Sequence, residues 1–281
     1  MAPADRLKLP PSWRLSPLMI RILSAAVLMG VVMSLVFAGR IGIWALVLLI
    51  GGLGLWEFRS LSDRLGFRSP TWLIFPLGFF FAFSQTVLKR IDVELVLSVA
   101  LVIGLGAFLF VPGRRQGLGR WAMGLAGAIY IGMPFNFYLL LYSHSHGLEW
   151  IFLVIFAVVM SDVGALLVGM RLGRHRFFPN ISPKKTVEGA IGGVLMATLV
   201  MGLGGFGVLD LPLGHALALG VLIGVGGEAG DLVESQMKRL AGVKDSSNLI
   251  PGHGGVLDRI DSLLFPPILV YLYVLIFQLL K

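Results

Sequence analysis

Apolar runs of about 20 residues recur along almost the whole chain, and that length is what an α-helix needs to cross a bilayer. The composition agrees with this pattern, because 57% of the 281 residues are hydrophobic and only 14% are charged. A soluble domain carries about 25% charged residues. The sequence therefore predicts an all-α, polytopic integral membrane protein. It has no cysteine, which excludes disulfides, thiolate catalysis and zinc held by cysteines.

The apolar runs predict about nine transmembrane helices that form a single membrane-embedded domain over residues 1–281. Proline- and glycine-containing pairs mark the breaks between runs, and the second run is short enough to be re-entrant. We expect segment 1–170 to supply N-terminal helices, and segment 171–281 to supply the helices and cytoplasmic loops that carry the catalytic site. The predicted spans are residues 18–38, 41–56, 71–88, 91–111, 122–142, 150–170, 188–208, 214–234 and 262–281.

The distribution of Lys and Arg predicts the orientation of these helices, because basic residues collect in the cytoplasmic loops of membrane proteins. With the N-terminus in the cytoplasm, most of the 23 Lys and Arg residues fall on the cytoplasmic side. Membrane topology then accounts for the net charge of +8, and we expect no nucleic-acid partner. The same orientation places segments 171–187 and 231–261 together in the cytoplasm. The basic residues outside this set are Arg21, Arg40, Lys89, Arg90 and Lys281.

A polar stretch near the C-terminal end, DLVESQMKRLAGVKDSSNLIPGHGGVLDRID at 231–261, interrupts the apolar pattern. Asp258 and Asp261 are three residues apart, so one helical turn would place both carboxylates on one face. Asp231 and Glu234 have the same spacing. Paired carboxylates can hold a hard cation such as Mg²⁺, and nearby Lys and Arg can hold the phosphates that the cation bridges. The stretch predicts a metal–phosphate site.

Acidic residues also occur within the apolar runs. Asp162 lies in the middle of IFLVIFAVVMSDVGALLVGM at 151–170. An ionised carboxylate at the bilayer centre costs about 2.5–3.5 kcal/mol on insertion scales, so we expect a functional or ion-paired role for it. Glu228 and Glu234 fall toward the end of another run. For Glu234, a position at the membrane interface is an equally good interpretation.

The loop SPKKTVEGAIGG at 182–193 offers a second group of phosphate-binding candidates. Ser182 could cap a helix that begins just after it, with Lys184 and Lys185 beside the helix N-terminus. Alternatively, the two lysines are ordinary cytoplasmic loop residues that meet lipid headgroups. Glu188 could pair with Lys184 at a spacing of four.

His253 lies between glycines, where the backbone can approach a ligand closely. Phosphate contact or proton transfer by this histidine competes with a simple turn as the interpretation. His144 and His146 have a metal-like spacing, but Glu149 is their one acidic neighbour and we expect no metal there. Pairs of glycines spaced by four suit close helix packing in lipid, and they permit a homodimer. The pairs are Gly189 and Gly193, Gly220 and Gly224, and Gly226 and Gly230.

The residues of 235–261 resemble, position by position, the signature of the phosphatidate cytidylyltransferase (CDP-diacylglycerol synthase) family. The loop 182–189 and the step from Gly230 to Asp231 are similar to that family as well, whereas the N-terminal half resembles it only in hydropathy. The matching signature residues are Ser235, Met237, Lys238, Arg239, Lys244, Asp245, Ser247, Ile250, Pro251, His253, Gly254, Gly255, Val256, Asp258, Arg259, Ile260 and Asp261.

The resemblance implies that CTP reacts with phosphatidate to give CDP-diacylglycerol and pyrophosphate, with Mg²⁺ as cofactor and with room for a second cation. It implies Asp231, Asp258 and Asp261 as cation ligands, with Asp162 as a further candidate. The catalytic residues that it implies are Asp231, Asp258, Asp261, Lys244 and His253. The candidates for binding the triphosphate or the lipid phosphate are Ser182, Lys184, Lys185, Lys238, Arg239, Lys244 and Arg259.

Two other functions compete with this one. A CTP-dependent lipid alcohol kinase would transfer the γ-phosphoryl group to a hydroxyl, but the complete signature favours the cytidylyltransferase. A cation-coupled transporter would need acids near the midplane, whereas the acids other than Asp162 gather toward one face beside basic residues. CTP is cytosolic and phosphatidate lies in the leaflet. We therefore expect a bacterial inner (cytoplasmic) membrane protein whose active site faces the cytoplasm.

Overall fold

A computed structural model of the chain describes residues 16–110 and 114–280. Helices make up most of the described part, and two short strands form a hairpin between the sixth and seventh helices. The elements are α1 (Pro17–Phe37), α2 (Gly39–Arg64), α3 (Thr71–Phe83), α4 (Val93–Phe110), α5 (Arg114–Tyr142), α6 (Gly147–Leu172), β1 (Arg176–Phe178), β2 (Ser182–Thr186), α7 (Val187–Gly207), α8 (Leu213–Leu240), α9 (Leu257–Leu264) and α10 (Pro266–Ile276).

Within the described ranges, six helical segments are long and apolar enough to cross a membrane. The predicted all-α, polytopic membrane architecture is therefore confirmed. Three shorter apolar helices cover 22–37, 71–83 and 93–106, so the count of nine spans stays a prediction. The N-terminal residues 1–15, whose cytoplasmic location is predicted, lie outside the described residues. The six long segments are 39–64, 117–142, 147–172, 187–207, 213–240 and 257–276.

Several predicted span boundaries are wrong. The second span was predicted over 41–56, a length short enough to permit a re-entrant segment, but α2 is one helix of 26 residues. The span expected over 214–234 continues to Leu240, so Lys238 and Arg239 are helical residues. The last span begins at Leu257 and changes direction at Phe265, between α9 and α10. In each case the apolar run stops at polar side chains, but the hydrogen-bonded helical backbone continues through them.

Glycines let the C-terminal helices approach one another closely, as their spacing predicts. A Cβ added at Gly220 would collide with the backbone of Thr198 on α7, and one added at Gly224 would lie 2.8 Å from the Cα atom of Val194. In the same way Gly226 faces Pro266, at the start of α10. Van der Waals contact between backbones is a main source of helix association in lipid. The packing prediction is confirmed.

Two clusters of buried side chains flank the polar stretch. One joins α5, α6, α7, α8 and α10 around Val154, Met201, Leu219 and Val270. The other joins α2, α3, α5 and α9. Its largest fully buried members are Leu55, Leu61, Ile74, Ile131, Leu257 and Leu264. The second cluster fixes α9, which carries Asp258 and Asp261, against helices of the N-terminal half.

The hairpin between α6 and α7 differs from the sequence prediction. Ser182 does not cap a helix; it lies in β2 and pairs with Phe178 of β1. Thr186 is the residue that caps α7, because its Oγ1 accepts a hydrogen bond of 3.1 Å from the amide of Gly189. Glu188 does not pair with Lys184, since its carboxylate lies 2.6 Å from Nδ1 of His175. Proline is tolerated in an edge strand, which lets β2 continue through residue 183.

Candidate functional site

The polar stretch folds into three parts: the last turns of α8, the loop 241–256 and the first turns of α9. Lys238 on α8 lies between two acidic side chains. Its Nζ atom is 2.6 Å from Oδ1 of Asp258 on α9, and it also contacts the carboxylate of Glu234 one turn before it. All three side chains are at least nine-tenths buried. Lys238 is thus part of an internal charge network.

Asp258 also organises the loop that precedes it. Its Oδ2 atom accepts hydrogen bonds from the amide of Ser246 at 2.9 Å, from the hydroxyl of Ser246 at 2.9 Å and from the amide of Gly255 at 2.8 Å. A hydrogen bond to a carboxylate is stronger than one between neutral groups. Asp258 therefore holds both ends of the loop, and its predicted role as a cation ligand stays a prediction.

Lys185 of β2 connects the hairpin to α8. Its Nζ atom lies 2.6 Å from Oε2 of Glu228 and 2.7 Å from Oδ2 of Asp231. Burial lowers the pKa of Lys185, but the two carboxylates raise it by more, so this pKa lies above its ordinary value. Ser235 donates a hydrogen bond of 3.1 Å to the other oxygen of Asp231. Glu228, which lies outside the family signature, shares this lysine with Asp231.

Three of the predicted cation ligands come together from three helices. Asp162 on α6, Asp231 on α8 and Asp261 on α9 lie close enough for their carboxylates to interact electrostatically. Gly230 allows this approach, because a Cβ there would collide with the carbonyl oxygen of Asp261. Oδ1 of Asp261 accepts a hydrogen bond of 2.7 Å from the amide of Ser262.

Carboxylate oxygens are the ligands that Mg²⁺ prefers, so the donor chemistry of these three acids fits a hard cation. As the side chains stand, no set of three or more His, Cys, Asp or Glu residues in the described part is arranged to hold a metal ion. Coordination of one ion by all three acids together would require them to draw closer to one another, whereas Mg²⁺ is commonly held by one or two carboxylates with substrate phosphates.

Four basic side chains among the predicted phosphate-binding residues are exposed, and they lie on the hairpin, α8, the loop 241–256 and α9. Arg239 donates from Nε to the carbonyl oxygen of Ile181, 3.1 Å away, so it ties the end of α8 to the hairpin. Arg259 donates to the carbonyl oxygen of His253 at 3.1 Å, and it lies close enough to Asp162 to interact electrostatically. Lys184 and Lys244 are exposed. Their predicted roles in phosphate binding stay predictions.

His253 is fixed by the first helix. Its Nδ1 atom lies 2.9 Å from the hydroxyl of Ser24 on α1, and that hydroxyl donates to the carbonyl oxygen of Pro251 at 3.0 Å. The turn is closed by a bridge between Ile250 and Gly254. This contact positions the imidazole ring, and the predicted part of His253 in phosphate binding or proton transfer stays a prediction.

Two residues of the site were missed in the sequence. Glu57 on α2 is fully buried, and its carboxylate accepts hydrogen bonds from the loop 241–256 and from the start of α9. The predicted second span ended one residue before it. An acid that directly follows an apolar run was the available signal, since such a group needs a partner.

Tyr130 on α5 is the second missed residue. Its hydroxyl is buried and has no hydrogen-bond partner in the described part of the chain. The ring packs between Phe58 and Phe265, and the hydroxyl lies close enough to Asp261 to interact electrostatically. Nothing in the apolar run 122–142 distinguishes this tyrosine from a packing residue.

A cavity of about 580 Å³ lies at the other end of the bundle, near the end of α5, and it contains none of the predicted site residues. Arg40, Lys89 and His144 are among its lining residues. His146 beside it lies 3.8 Å from Glu149. The cavity is therefore separate from the charge network described above.

A family model and several known proteins are similar to the chain. The model of the Cytidylyltransferase family matches residues 19–277. A phosphatidate cytidylyltransferase of Bacillus subtilis (strain 168) is 32% identical over 266 residues, which cover 91% of this chain and 96% of that protein. A protein of the same name from Staphylococcus saprophyticus is 36% identical, over 66% of this chain and 71% of its own length. One from Staphylococcus aureus (strain COL) is 41% identical, over 55% of this chain and 58% of its own.

Proposed function

Because the chain belongs to the cytidylyltransferase family, it is a nucleotidyltransferase, and we propose that it transfers the CMP group of CTP to phosphatidate. The products are CDP-diacylglycerol and pyrophosphate. The family prediction made from residues 235–261 is confirmed. The observation that supports the reaction is a juxtaposition: Lys185, Asp231 and Asp261 lie at one end of a membrane-embedded bundle, beside the Lys238–Asp258 pair.

The reaction asks the protein mainly to hold anions together. An oxygen of the lipid phosphate forms a bond to the α-phosphorus of CTP. The bond from that phosphorus to the oxygen bridging to the β-phosphate breaks, and pyrophosphate leaves with the electron pair. The nucleophile is already ionised, so no strong base is required. Exposed cations at this end of the bundle can offset the repulsion between the two substrates, and they include Lys184, Arg239, Lys244 and Arg259.

Mg²⁺ is part of the proposal. Asp231 and Asp261 are the ligands that we assign to it, with Asp162 and Asp258 as further candidates and with room for a second cation. The ion would neutralise charge on the triphosphate and orient it. Lys185 is a cation whose pKa its two carboxylate partners raise above the ordinary value, and it can exchange those partners for a phosphate group.

Location and assembly complete the proposal. The chain is an integral membrane protein with bacterial relatives, and we place it in the inner membrane with the site toward the cytoplasm. Support comes from the basic residues that the positive-inside rule assigns to the same side as the site. A homodimer is also part of the proposal. We assign no surface to it, because the glycine pairs that could have formed the interface face helices of the same chain.

The test is pyrophosphate release by the purified protein in detergent, with phosphatidate, Mg²⁺ and each of the four nucleoside triphosphates in turn. We expect pyrophosphate release with CTP and with none of the other three nucleoside triphosphates. The release should require both the lipid and Mg²⁺, and it should be lost in Asp261→Asn. Asp63→Asn is the matched control, because Asp63 is a half-exposed aspartate that lies 3.7 Å from Arg68, outside the network. If CTP is instead converted to CDP when a lipid alcohol is supplied, with the γ-phosphoryl group on the alcohol and no pyrophosphate released, the result would support the kinase. Cation flux without CTP turnover would support the transporter.

A further inference from the structure

Glu57 is an acid in the interior of a membrane-length apolar helix. Its side chain lies within the described bundle at 0% exposure, between the buried residues Leu55 and Phe58. A buried ionised group of this kind persists only when it is paired or fully hydrogen-bonded. The hydrogen-bond partners of Glu57 therefore indicate its function.

Each oxygen of Glu57 accepts one hydroxyl and one backbone amide. Oε1 accepts from Ser247 Oγ at 2.6 Å and from the amide of Val256 at 2.9 Å. Oε2 accepts from Ser246 Oγ at 3.1 Å and from the amide of Leu257 at 2.5 Å. The hydroxyls stand near the start of the loop 241–256, and the amides stand at its end. One carboxylate thus joins the two ends of the loop and caps the N-terminus of α9.

The same contacts reach Asp258 directly. The hydroxyl of Ser246 lies 3.1 Å from Glu57 and 2.9 Å from Asp258, so the two carboxylates share its single proton. Gly255 fills the remaining space, because a Cβ there would lie 2.6 Å from Oε1 of Glu57 and would collide with the hydroxyl of Ser246. From Asp258 the chain of contacts continues to Lys238.

We propose that Glu57 is a positioning residue for the transfer reaction. It closes the loop 241–256 around its own carboxylate and thereby sets the positions of Asp258 and Lys238. This inference rests on the proposed function. It means that a residue of the N-terminal half positions the reacting residues of the signature at 235–261. A role confined to stability is the competing explanation, and the two differ in measurable ways.

The experiment compares Glu57→Gln with Ser62→Ala in the full-length protein. Glu57→Gln keeps the size of the side chain but replaces one acceptor oxygen by a donor. Ser62 is the matched control, because it is also fully buried on α2, and in the described contacts its hydroxyl bonds to Phe67 and Ser69 and to no residue of the loop 241–256. Both variants lose buried hydrogen bonds, but only Glu57→Gln releases the loop.

Two experiments are done: steady-state kinetics, which gives kcat and KM for CTP, and hydrogen exchange of the amides of 244–257. We expect Glu57→Gln to lower kcat by about 10- to 100-fold, as misplacement of a reacting group does, and to speed exchange across the segment. Glu57→Asp keeps the charge, so it should recover part of both losses. Ser62→Ala should leave kcat and the exchange of this segment at wild-type values, whatever it does to the melting temperature.

The proposal is overturned if Glu57→Gln has wild-type kcat, or if Ser62→Ala loses kcat in proportion to its own loss of stability. If Glu57→Gln yields no folded protein, Ser247→Ala takes its place in both measurements; it removes one donor to Glu57 and the acceptor of the Leu249 amide within the loop. An inactive wild-type protein would contradict the proposed function. The hydrogen-exchange comparison would still decide whether Glu57 holds the loop.

Discussion

Lys238 and Asp258 form an ion pair in which Nζ lies 2.6 Å from Oδ1, across the loop that separates α8 from α9. Since Lys238 also contacts Glu234, one cation balances two buried acids. Removing one partner of a buried pair leaves an uncompensated charge, which is strongly destabilising. We therefore expect Lys238→Met to lower the free energy of unfolding by about 3–5 kcal/mol and to abolish activity.

The measurement for Lys238→Met is chemical unfolding in detergent micelles. Arg239→Met is the neighbouring control, because Arg239 is exposed and its head group meets only backbone carbonyls in the described contacts. Its loss should be about 1 kcal/mol or less. Equal stability of Lys238→Met and the wild type would show that the pair contributes nothing to the fold.

Gly230 gives a prediction about close packing. A Cβ at this position collides with the carbonyl oxygen of Asp261, whereas a Cβ at Gly214 on the same helix meets nothing within 4 Å. Gly230→Ala should lower the free energy of unfolding by about 1–3 kcal/mol and should displace Asp261, with loss of pyrophosphate release. Gly214→Ala should be neutral or slightly stabilising. Thermal unfolding and activity of the two alanine variants check this, and similar behaviour of both would contradict it.

Two tyrosines on α5 differ in whether their hydroxyl groups are hydrogen-bonded within the protein. The hydroxyl of Tyr138 donates to the carbonyl oxygen of Leu263 at 3.1 Å, whereas the buried hydroxyl of Tyr130 has no partner in the described residues. Tyr130→Phe should keep full stability, because no hydrogen bond is lost. It should lower kcat/KM by about 10- to 150-fold if the hydroxyl meets a substrate phosphate, since a hydrogen bond to a charged group contributes about 1.5–3 kcal/mol.

Tyr138→Phe should show the reverse pattern, with a lower melting temperature and unchanged kcat/KM. Steady-state kinetics with CTP and thermal unfolding of both variants are the measurements. Unchanged kcat/KM in Tyr130→Phe would exclude its hydroxyl from substrate binding.

The raised pKa of Lys185 predicts how its stabilising effect depends on pH. A pKa that is higher in the folded state means that the folded protein binds the proton more tightly. The stabilisation is therefore complete below the unfolded pKa of about 10.4 and is lost as the pH rises through the folded value. The difference in unfolding free energy between the wild type and Lys185→Met should be constant between about pH 7 and 9 and should shrink above about pH 10.5.

Unfolding of both proteins across this pH range is the measurement. Lys184→Met serves as the control, because Lys184 is the adjacent exposed lysine. The unfolding free energy of Lys184→Met should differ little from that of the wild type at every pH. A difference for Lys185→Met that already shrinks near neutral pH would contradict the raised pKa.

The sequence was informative where function depends on local spacing. Asp258 and Asp261 do share one helix, and the glycine pairs do mark the helix contacts. It was uninformative about contacts between distant segments. Ser246 and Glu57 are 189 residues apart, and no pattern along the chain relates them. Hydropathy alone also predicted that the second span ends before Glu57. That prediction failed because hydropathy does not show that a polar side chain is hydrogen-bonded by a distant segment of the chain.

The hairpin shows a second kind of failure. A serine followed by proline is a common helix start, so Ser182 looked like a cap. In the fold, β2 instead extends to Thr186 and turns Lys185 toward α8, where Glu228 and Asp231 receive it. The local signal was outweighed by ion pairs between separate elements.

The glycine contacts of α8 also bear on how the molecule moves. This helix is joined backbone to backbone with α7 through Gly220 and Gly224, and with α9 and α10 through Gly226 and Gly230. Packed interfaces of this kind resist continuous sliding. We expect these helices to turn or tilt as one rigid body, so the opening and closing that admits a nucleotide falls to the β1–β2 hairpin and to the loop that Glu57 holds.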